Sequence, residues 1–338
     1  MTTRLNIGLV GLGRLGRVYA RDLSSRLAQT RLVAVADINS DLAKEIAEEF
    51  GVPKWYGEPS ELIADNFVDA VVIVSPTHTH KLVVVEALRA KKPTFCEKPP
   101  SISLAESIAM ADAERETGAF FQMGFMRRFD PGYAAAKRSI DEGRIGRPVV
   151  FKSTSRDPFP PSIAYADPKS SGGIFIDMGI HDFDLARWFM GEVASVQAVG
   201  ATLVFPDLAT VGDYDNVIAT LTFADGRLGV VDLTRNGCYG YDISTDLLGP
   251  EGTIRVGYIR ETPILVMTRN SVAHDTVPYF MERFERAYTL QLENFAENVL
   301  HQRPAPITIQ DGVEALRVAV AATRACASGT RVDVASVL

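Results

Sequence analysis

The sequence predicts an α/β fold, with an N-terminal doubly wound parallel sheet followed by an α+β domain that has a mainly antiparallel sheet. Three observations lead to this prediction. A glycine-rich turn joins an apolar strand to a helix near the start, strand and helix patterns then alternate, and later strand-like runs follow one another closely. The 338 residues suffice for two domains, which we place at 1–125 and 126–338.

The first domain is predicted as continuous apolar strands separated by helices. Strands of this kind, without polar alternation, are typical of a parallel sheet that is buried on both faces. Right-handed crossovers between them give a doubly wound sheet. The expected strands are 4–10, 32–37, 69–75, 93–96 and 119–123, and the expected helices are 14–27, 41–50, 78–90 and 103–117, the last capped by Ser103.

The second domain is predicted from strands in close succession, which favour antiparallel pairing. Asp225-Gly226 is a typical hairpin turn. Two C-terminal helices could return to the first domain or pack on the second sheet. The expected strands are 148–154, 193–204, 216–223, 227–235, 242–249, 252–257 and 263–268, and the helices are 280–302 and 310–328.

Composition narrows the class of protein. The net charge of −7 argues against sequence-independent binding of nucleic acid, and no apolar run is long enough to span a membrane. The three cysteines, Cys96, Cys238 and Cys326, are too far apart for a disulfide framework or a spaced zinc site. The first residues lack a signal-peptide pattern. We therefore expect a cytoplasmic protein without a metal site.

The glycine-rich turn carries the first functional prediction. Gly11 permits a tight turn, Gly13 permits close approach of a pyrophosphate, and Gly16 permits close packing of helix on strand. The helix N-terminus then faces the phosphates with free N–H groups. An ordinary turn without ligand is the alternative, but the strand–turn–helix context favours a dinucleotide.

Asp37 ends the second predicted strand, at the position where a carboxylate accepts the hydroxyls of the adenosine ribose. A carboxylate there repels a 2′-phosphate, and residues 38–40 include no arginine or lysine. We therefore predict NAD rather than NADP as the cofactor.

Polar stretches follow three predicted strands, at 75–80, 96–100 and 122–128, where a doubly wound sheet holds its ligands. Lys98 is the strongest candidate, because Pro99 keeps its backbone extended beside the predicted nicotinamide. An exposed loop lysine is the ordinary alternative. His78 and His80 could equally be capping and surface residues.

Asp177 and His181 lie four residues apart, which puts them on one face of a predicted helix. An imidazole is the commonest proton-transfer group near neutral pH, and Asp177 could orient it. A capping aspartate with a partly buried histidine is the alternative. One histidine and one aspartate make a poor metal site.

The chain resembles the Gfo/Idh/MocA family of oxidoreductases. The resemblance rests on Gly8-Leu9-Val10-Gly11-Leu12-Gly13-Arg14-Leu15-Gly16, on Cys96-Glu97-Lys98-Pro99 and on Gly172-Gly173-Ile174-Phe175-Ile176-Asp177-Met178-Gly179-Ile180-His181-Asp182-Phe183-Asp184. Segments 155–161 and 237–242 look most like the inositol 2-dehydrogenase branch. The resemblance implies an open-faced second sheet, a homotetramer, and Lys98, Asp177 and His181 as the catalytic set.

The expected activity is NAD-dependent oxidation of a secondary alcohol on a cyclic polyol, most simply myo-inositol to 2-keto-myo-inositol. His181 is the expected acid/base, and Lys98 the group that stabilises negative charge on the oxygen, although these roles could be exchanged. Two alternatives stay open: a dehydrogenase for scyllo-inositol, another inositol or an aldose, and a non-catalytic NAD-bound sensor.

The residues expected to contact ligands fall into two sets. Arg127 and Arg128 could indicate an anionic substrate in place of a neutral polyol, although Asp130 and Asp157 lie nearby in the sequence. Tyr239 and Tyr241 would share one face if the chain were extended there. The expected cofactor contacts are Gly11, Gly13, Arg14, Leu15, Asp37, Ile38, Ser75, Thr77, His80, Glu97, Lys98 and Gln122, and the expected substrate contacts are Lys98, Arg127, Asp157, Asp177, His181, Asn236, Tyr239 and Tyr241.

Overall fold

The computed structural model describes residues 4–338, so the expectation about a leader at the start of the chain lies partly outside them, in residues 1–3. The chain divides into two compact units. The first contains residues up to 126 together with 286–313, and the second contains 127–285 together with 314–338. The domain limits of 1–125 and 126–338 stay a prediction.

The first unit is built on a six-stranded sheet in the order β3-β2-β1-β4-β5-β6, in which every pair is parallel. The strand order reverses beside β1, and such a reversal opens a crevice at the carboxyl ends of the strands. The elements are β1 (Leu5–Val10), α1 (Arg14–Arg21), β2 (Thr30–Ala36), α2 (Ser40–Phe50), β3 (Lys54–Tyr56), α3 (Pro59–Ala64), β4 (Ala70–Ile73), α4 (His80–Arg89), β5 (Thr94–Glu97), α5 (Leu104–Thr117) and β6 (Phe121–Gly124).

The parallel sheet and its five predicted strands are confirmed, and Ser103 caps α5 by accepting the N–H of Glu106. The sequence analysis did not predict β3 and α3, because runs this short carry little periodicity. The first predicted helix also ends differently. Its last turn, Asp22–Arg26, is a π-turn, in which the Leu27 N–H donates to the Asp22 carbonyl at 3.1 Å.

The second unit contains a seven-stranded sheet in the order β12-β11-β7-β10-β9-β8-β15. Only β7 and β10 pair in parallel, so the mainly antiparallel prediction is confirmed. The elements after β6 are α6 (Pro131–Asp141), β7 (Val150–Arg156), α7 (Ile163–Ala166), α8 (Pro168–Ser171), α9 (Ile174–Asp177), α10 (Ile180–Met190), β8 (Val193–Ala201), β9 (Asn216–Phe223), β10 (Leu228–Thr234), β11 (Asp242–Gly249), β12 (Gly252–Val256), β13 (Val266–Met267), β14 (Val272–Ala273), α11 (Phe280–Leu300), α12 (Ile309–Ser328) and β15 (Val332–Asp333).

One face of this sheet is core and the other is open. Inward side chains such as Phe151, Val231 and Leu247 are fully buried, while their strand neighbours on the other face are partly or fully exposed. The open face carries apolar side chains from β8, β9, β10 and β11, which cross-strand pairing, through β7 between the last two, places on one side: Val199, Ile218, Leu228 and Leu248. The predicted strand 263–268 does not join this sheet, because its residues 266–267 pair with β14 as a separate hairpin.

Helix α6 also escaped prediction, although its start carries clear signals. Asp130 caps it by accepting the N–H groups of Gly132 and Tyr133, and Pro131 occupies its first turn. Among residues 4–338, no helix is long and apolar enough to cross a bilayer. Within the same residues, no three His, Cys, Asp or Glu side chains are grouped as metal ligands.

The glycine-rich turn of the first unit has three different steric environments. Gly11 has φ +91°, and a Cβ there would lie 2.4 Å from the Ser75 nitrogen. A Cβ on Gly16 would lie 2.2 Å from the Gly11 oxygen, whereas one on Gly13 would meet nothing within 4 Å. Gly11 and Gly16 are therefore required by the fold, and Gly13 leaves open space for a ligand.

Two alanine substitutions separate these roles. Gly16→Ala should lower the free energy of unfolding by about 1–3 kcal/mol, because the clash is with backbone. Gly13→Ala should change it by less than about 0.5 kcal/mol, yet weaken binding of the dinucleotide. Urea unfolding and calorimetric titration of NAD measure the two effects. Equal stability loss in both variants would contradict the assignment.

Candidate active site

In the first unit, the Asp37 carboxylate lies directly beside the glycine-rich turn. Its Oδ2 accepts the N–H of Leu12 at 2.9 Å, and its Oδ1 accepts the N–H of Asn39 at 2.9 Å. Next to it, Ile38 is 84% exposed, which is unusual for a large apolar side chain. This places the predicted ribose-binding carboxylate at the end of β2, beside the end of β1.

The N-terminus of α1 meets the steric requirements of a pyrophosphate site. Its N-cap, Gly13, offers no side-chain hydrogen bond, and Gly13 and Arg14 are exposed while Leu15 is partly exposed. Helix N–H groups and the positive end of the helix dipole are therefore open to an anionic ligand. Together with the open space at Gly13, these features fit a dinucleotide.

His80 joins the loops that follow β4 and β5. Its Nε2 lies 2.8 Å from the Ser75 oxygen and its Nδ1 lies 2.9 Å from the Pro99 oxygen, with the ring almost fully buried. Burial lowers the pKa of His80, and the two carbonyls oppose that shift. Both ring nitrogens are thus hydrogen-bonded to backbone carbonyls. The contact of His80 with the cofactor stays a prediction. Ser75, which also bonds Thr79, and Thr77 lie in the same loop.

A buried polar cluster lies directly before Lys98. The Glu97 carboxylate accepts from the Tyr19 hydroxyl, from Gln291 Nε2 at 2.9 Å and from the Lys98 N–H at 3.1 Å. Burial raises the pKa of Glu97, while the Tyr19 hydroxyl acts in the opposite direction. The cluster fixes the end of β5, where Lys98 is partly exposed and the Lys98–Pro99 peptide is cis.

Gln122 belongs to the same interior. Its side chain is fully buried in β6 and its amide donates to the Gln291 carbonyl at 3.4 Å. Such burial does not favour its predicted contact with the cofactor. Sequence reasoning missed Tyr19 and Gln291, since no local pattern links residues so far apart in the chain.

In the second unit, Asp177 and His181 do not share one continuous helix, so that prediction is wrong. Helix α9 ends at Asp177 and α10 begins at Ile180, with His181 donating its N–H to the Met178 carbonyl at 3.4 Å. His181 is only 6% exposed. The Asp177 carboxylate accepts the Tyr165 hydroxyl at 3.0 Å and faces Arg235 at 3.4 Å. Neither partner was anticipated.

Asp182, directly after His181, anchors the start of α10 to β7. Its fully buried carboxylate accepts from Arg127 at 2.9 Å, from Ser155 at 2.9 Å and from Ser153. Burial acts to lower the pKa of Arg127, but Asp182 raises it overall. The contact of Arg127 with substrate stays a prediction.

The neighbouring arginine is also paired within the unit. Arg128 binds Asp184 through two nitrogens, at 2.9 and 2.6 Å. Asp130, in turn, accepts from Arg283 at 2.8 Å. The alternative of an anionic substrate loses its support, because both arginines that suggested it have carboxylate partners in their own unit.

The remaining substrate candidates lie in two loops. Asp157 follows β7 and is partly exposed, as is Asn236 after β10. Tyr239 and Tyr241 do not share a face as expected, because the chain turns at 237–240, where the Gly240 N–H donates to the Gly237 carbonyl. Tyr239 is 40% exposed and donates to Asp242, whereas Tyr241 is buried and its pKa is raised by burial.

Comparison with known proteins agrees with this arrangement. Residues 5–125 match the family description "Oxidoreductase family, NAD-binding Rossmann fold", and residues 137–334 match "Oxidoreductase family, C-terminal alpha/beta domain". The chain is 39% identical to scyllo-inositol 2-dehydrogenase (NAD(+)) of Bacillus subtilis, over 98% of this chain and 97% of that protein. It is 39% identical to myo-inositol 2-dehydrogenase of Thermotoga maritima, over 95% and 96%.

Among solved structures, scyllo-inositol dehydrogenase of Lactobacillus casei with bound NAD(H) and scyllo-inositol superposes with a TM-score of 0.94 at 30% identity, over 99% of this chain and 100% of that one. The glycine-rich turn and Asp37 thus lie in a domain whose cofactor is NAD, as predicted. Both halves of the chain match the two parts of one enzyme family, and the chain therefore belongs to the Gfo/Idh/MocA oxidoreductases.

Proposed function

We propose that this chain is an NAD-dependent dehydrogenase that oxidises a secondary alcohol of a cyclic polyol, with myo-inositol to 2-keto-myo-inositol as the first candidate reaction. The observation that carries the proposal is the presence of Lys98, Asp177 and His181 in a chain whose whole length matches inositol dehydrogenases. Relatives named for myo-inositol and for scyllo-inositol are equally similar, so both stereoisomers are candidates.

Each of the three residues has a chemical task in this reaction. His181 accepts the hydroxyl proton, and Asp177 holds the imidazole in the required tautomer and orientation. Lys98 donates a hydrogen bond to the same oxygen and stabilises the negative charge that develops there. NAD, when bound, accepts the hydride. The exchanged assignment, with Lys98 as base, uses the same groups.

The second unit suits an uncharged ring with many hydroxyl groups. Polyol recognition requires several donors and acceptors around the ring, and we assign this task to Asp157, Asn236, Tyr239, Tyr241 and Arg127. The pairing of Arg127 and Arg128 with Asp182 and Asp184 favours a neutral substrate over an anionic one.

A polyol panel tests the reaction class. Myo-inositol, scyllo-inositol, further inositols and aldoses are each incubated with NAD and, separately, with NADP, and formation of the reduced cofactor is followed by absorbance. We expect turnover on an inositol with NAD, and much lower efficiency with NADP because of Asp37. Highest turnover on an aldose would move the assignment to the sugar dehydrogenases. Turnover on no compound would favour the NAD-bound sensor.

Two substitutions test the catalytic set. Lys98→Ala and His181→Ala should each lower kcat by about 10²–10⁴-fold, the usual contribution of general acid–base groups. Affinity for NAD should change little. The exposed Lys44→Ala is the matched control and should retain wild-type turnover. Near-normal turnover in either site variant would remove that residue from the mechanism.

The open sheet face supports a homotetramer built from copies of this chain. Val199, Ile218, Leu228 and Leu248 are 46–64% exposed on one surface. Exposed apolar patches of this kind mark association surfaces. Charges of both signs, Lys152 and Asp246 among them, are interspersed with these side chains and suit self-complementary contact.

We also place the protein in the cytoplasm, because an odd number of widely spaced thiols suits a reducing compartment.

Light scattering coupled to size exclusion tests the assembly. Wild type should elute as a tetramer, and Ile218→Asp should dissociate it, because a charge on the apolar face opposes burial. Leu82→Asp, at a leucine that is 70% exposed on α4, is the control and should stay tetrameric. A monomeric wild type would contradict the proposed assembly.

A further inference from the structure

We propose that Arg235 and Tyr165 are positioning residues of the active site, which together hold the Asp177 carboxylate in one orientation for its work on His181 and the substrate. Neither residue belongs to the motifs that identify the family, and the inference rests on the proposed function. Three contacts within the second unit support it.

The first contact is a buried ion pair. Arg235 directly follows β10 and its side chain is 1% exposed. Its Nη2 lies 3.0 Å from Asp213 Oδ2, and its Nη1 lies 3.4 Å from Asp177 Oδ2. A buried guanidinium requires carboxylate partners, and its rigid planar fork can serve two at fixed angles. Arg235 thus links Asp177 to Asp213.

The second contact reaches the other carboxylate oxygen. The Tyr165 hydroxyl donates to Asp177 Oδ1 at 3.0 Å. The negative charge of Asp177 raises the pKa of Tyr165, so its hydroxyl remains a donor throughout the working pH range. With one donor on each oxygen, from α7 and from the end of β10, the plane of the Asp177 carboxylate is defined.

The third contact holds the backbone. Helix α9 begins at Ile174 after Gly173, which has no side chain to cap it. Asp213 supplies the missing acceptor, because its Oδ1 accepts the Ile174 N–H at 3.0 Å. Burial raises the pKa of Asp213, and Arg235 acts to lower it. The same aspartate thus orients Arg235 and fixes the start of the helix that ends at Asp177.

Substitutions of Tyr165 and of Arg235 should therefore have different effects on activity and on stability. Misplacing a catalytic group by about 1 Å can cost on the order of 10²-fold in rate. Removing the Tyr165 hydroxyl leaves the ion pair in place, so the fold should survive while the carboxylate gains freedom. Replacing Arg235 by lysine keeps the charge but removes the fork, whereas replacing it by methionine removes both.

The experiment compares kcat, KM for the inositol, Kd for NAD and the melting temperature in Tyr165→Phe, Arg235→Lys and Arg235→Met. We expect Tyr165→Phe to lose about 10- to 100-fold in kcat with an unchanged melting temperature and Kd for NAD, as befits a hydrogen bond to a charged group. Arg235→Lys should retain more activity than Arg235→Met. Tyr258→Phe, at a tyrosine that is 50% exposed in the same unit, is the matched control and should behave as wild type.

The outcomes distinguish failure of the positioning role from failure of the proposed function. Wild-type turnover on an inositol combined with unchanged kcat in Tyr165→Phe overturns the positioning role and leaves the proposed function intact. A loss in Tyr165→Phe that appears only in KM, or only as a lower melting temperature, also overturns it. Absence of turnover in wild type on the whole polyol panel overturns the proposed function, and this inference with it.

Discussion

A buried carboxylate, that of Asp182, fixes the position of His181 within the second unit. Asp182 has no exposed surface, and it accepts hydrogen bonds from a guanidinium and from two serine hydroxyls of β7. A charge without water is tolerated only when such donors surround it. Because Asp182 follows His181 directly, the hydrogen bonds that hold Asp182 also fix the backbone position from which the His181 side chain extends. The position of the proposed base is therefore fixed by its neighbour in the sequence.

The first unit likewise has a buried, hydrogen-bonded carboxylate next to Lys98. The preceding residue, Glu97, is buried with Tyr19 and Gln291 as donors, and its second oxygen accepts the Lys98 N–H itself. In each unit, then, the residue proposed for chemistry is the direct sequence neighbour of a buried acid, Glu97 before Lys98 and Asp182 after His181. Polar clusters of this kind are costly when incomplete and rigid when complete. They suit a lysine and a histidine whose positions must be reproducible.

Local sequence patterns sufficed for the parallel sheet and for the turn that follows its first strand. The glycine turn, the carboxylate of Asp37 and the apolar strands were predictable, because each is fixed by residues a few positions away. The buried partners around the proposed catalytic residues were not predictable. Gln291 meets Tyr19 across 272 positions, and Arg235 meets Asp177 across 58, so no local period records either pair. The break between α9 and α10 was also hidden, since Met178 and Gly179 interrupt the helix without any proline.

The charge arrangement of the second unit favours the proposed neutral substrate. Three of its arginines, Arg127, Arg235 and Arg283, are almost fully buried, and each forms an ion pair with aspartate inside the unit. A cation that is already neutralised by a fixed carboxylate offers little to a phosphate or carboxylate ligand, which would also meet repulsion from the paired acid. Hydroxyl groups, in contrast, can both donate to such carboxylates and accept from neighbouring side chains. The pairing of these arginines therefore favours the proposed neutral ring over an anion.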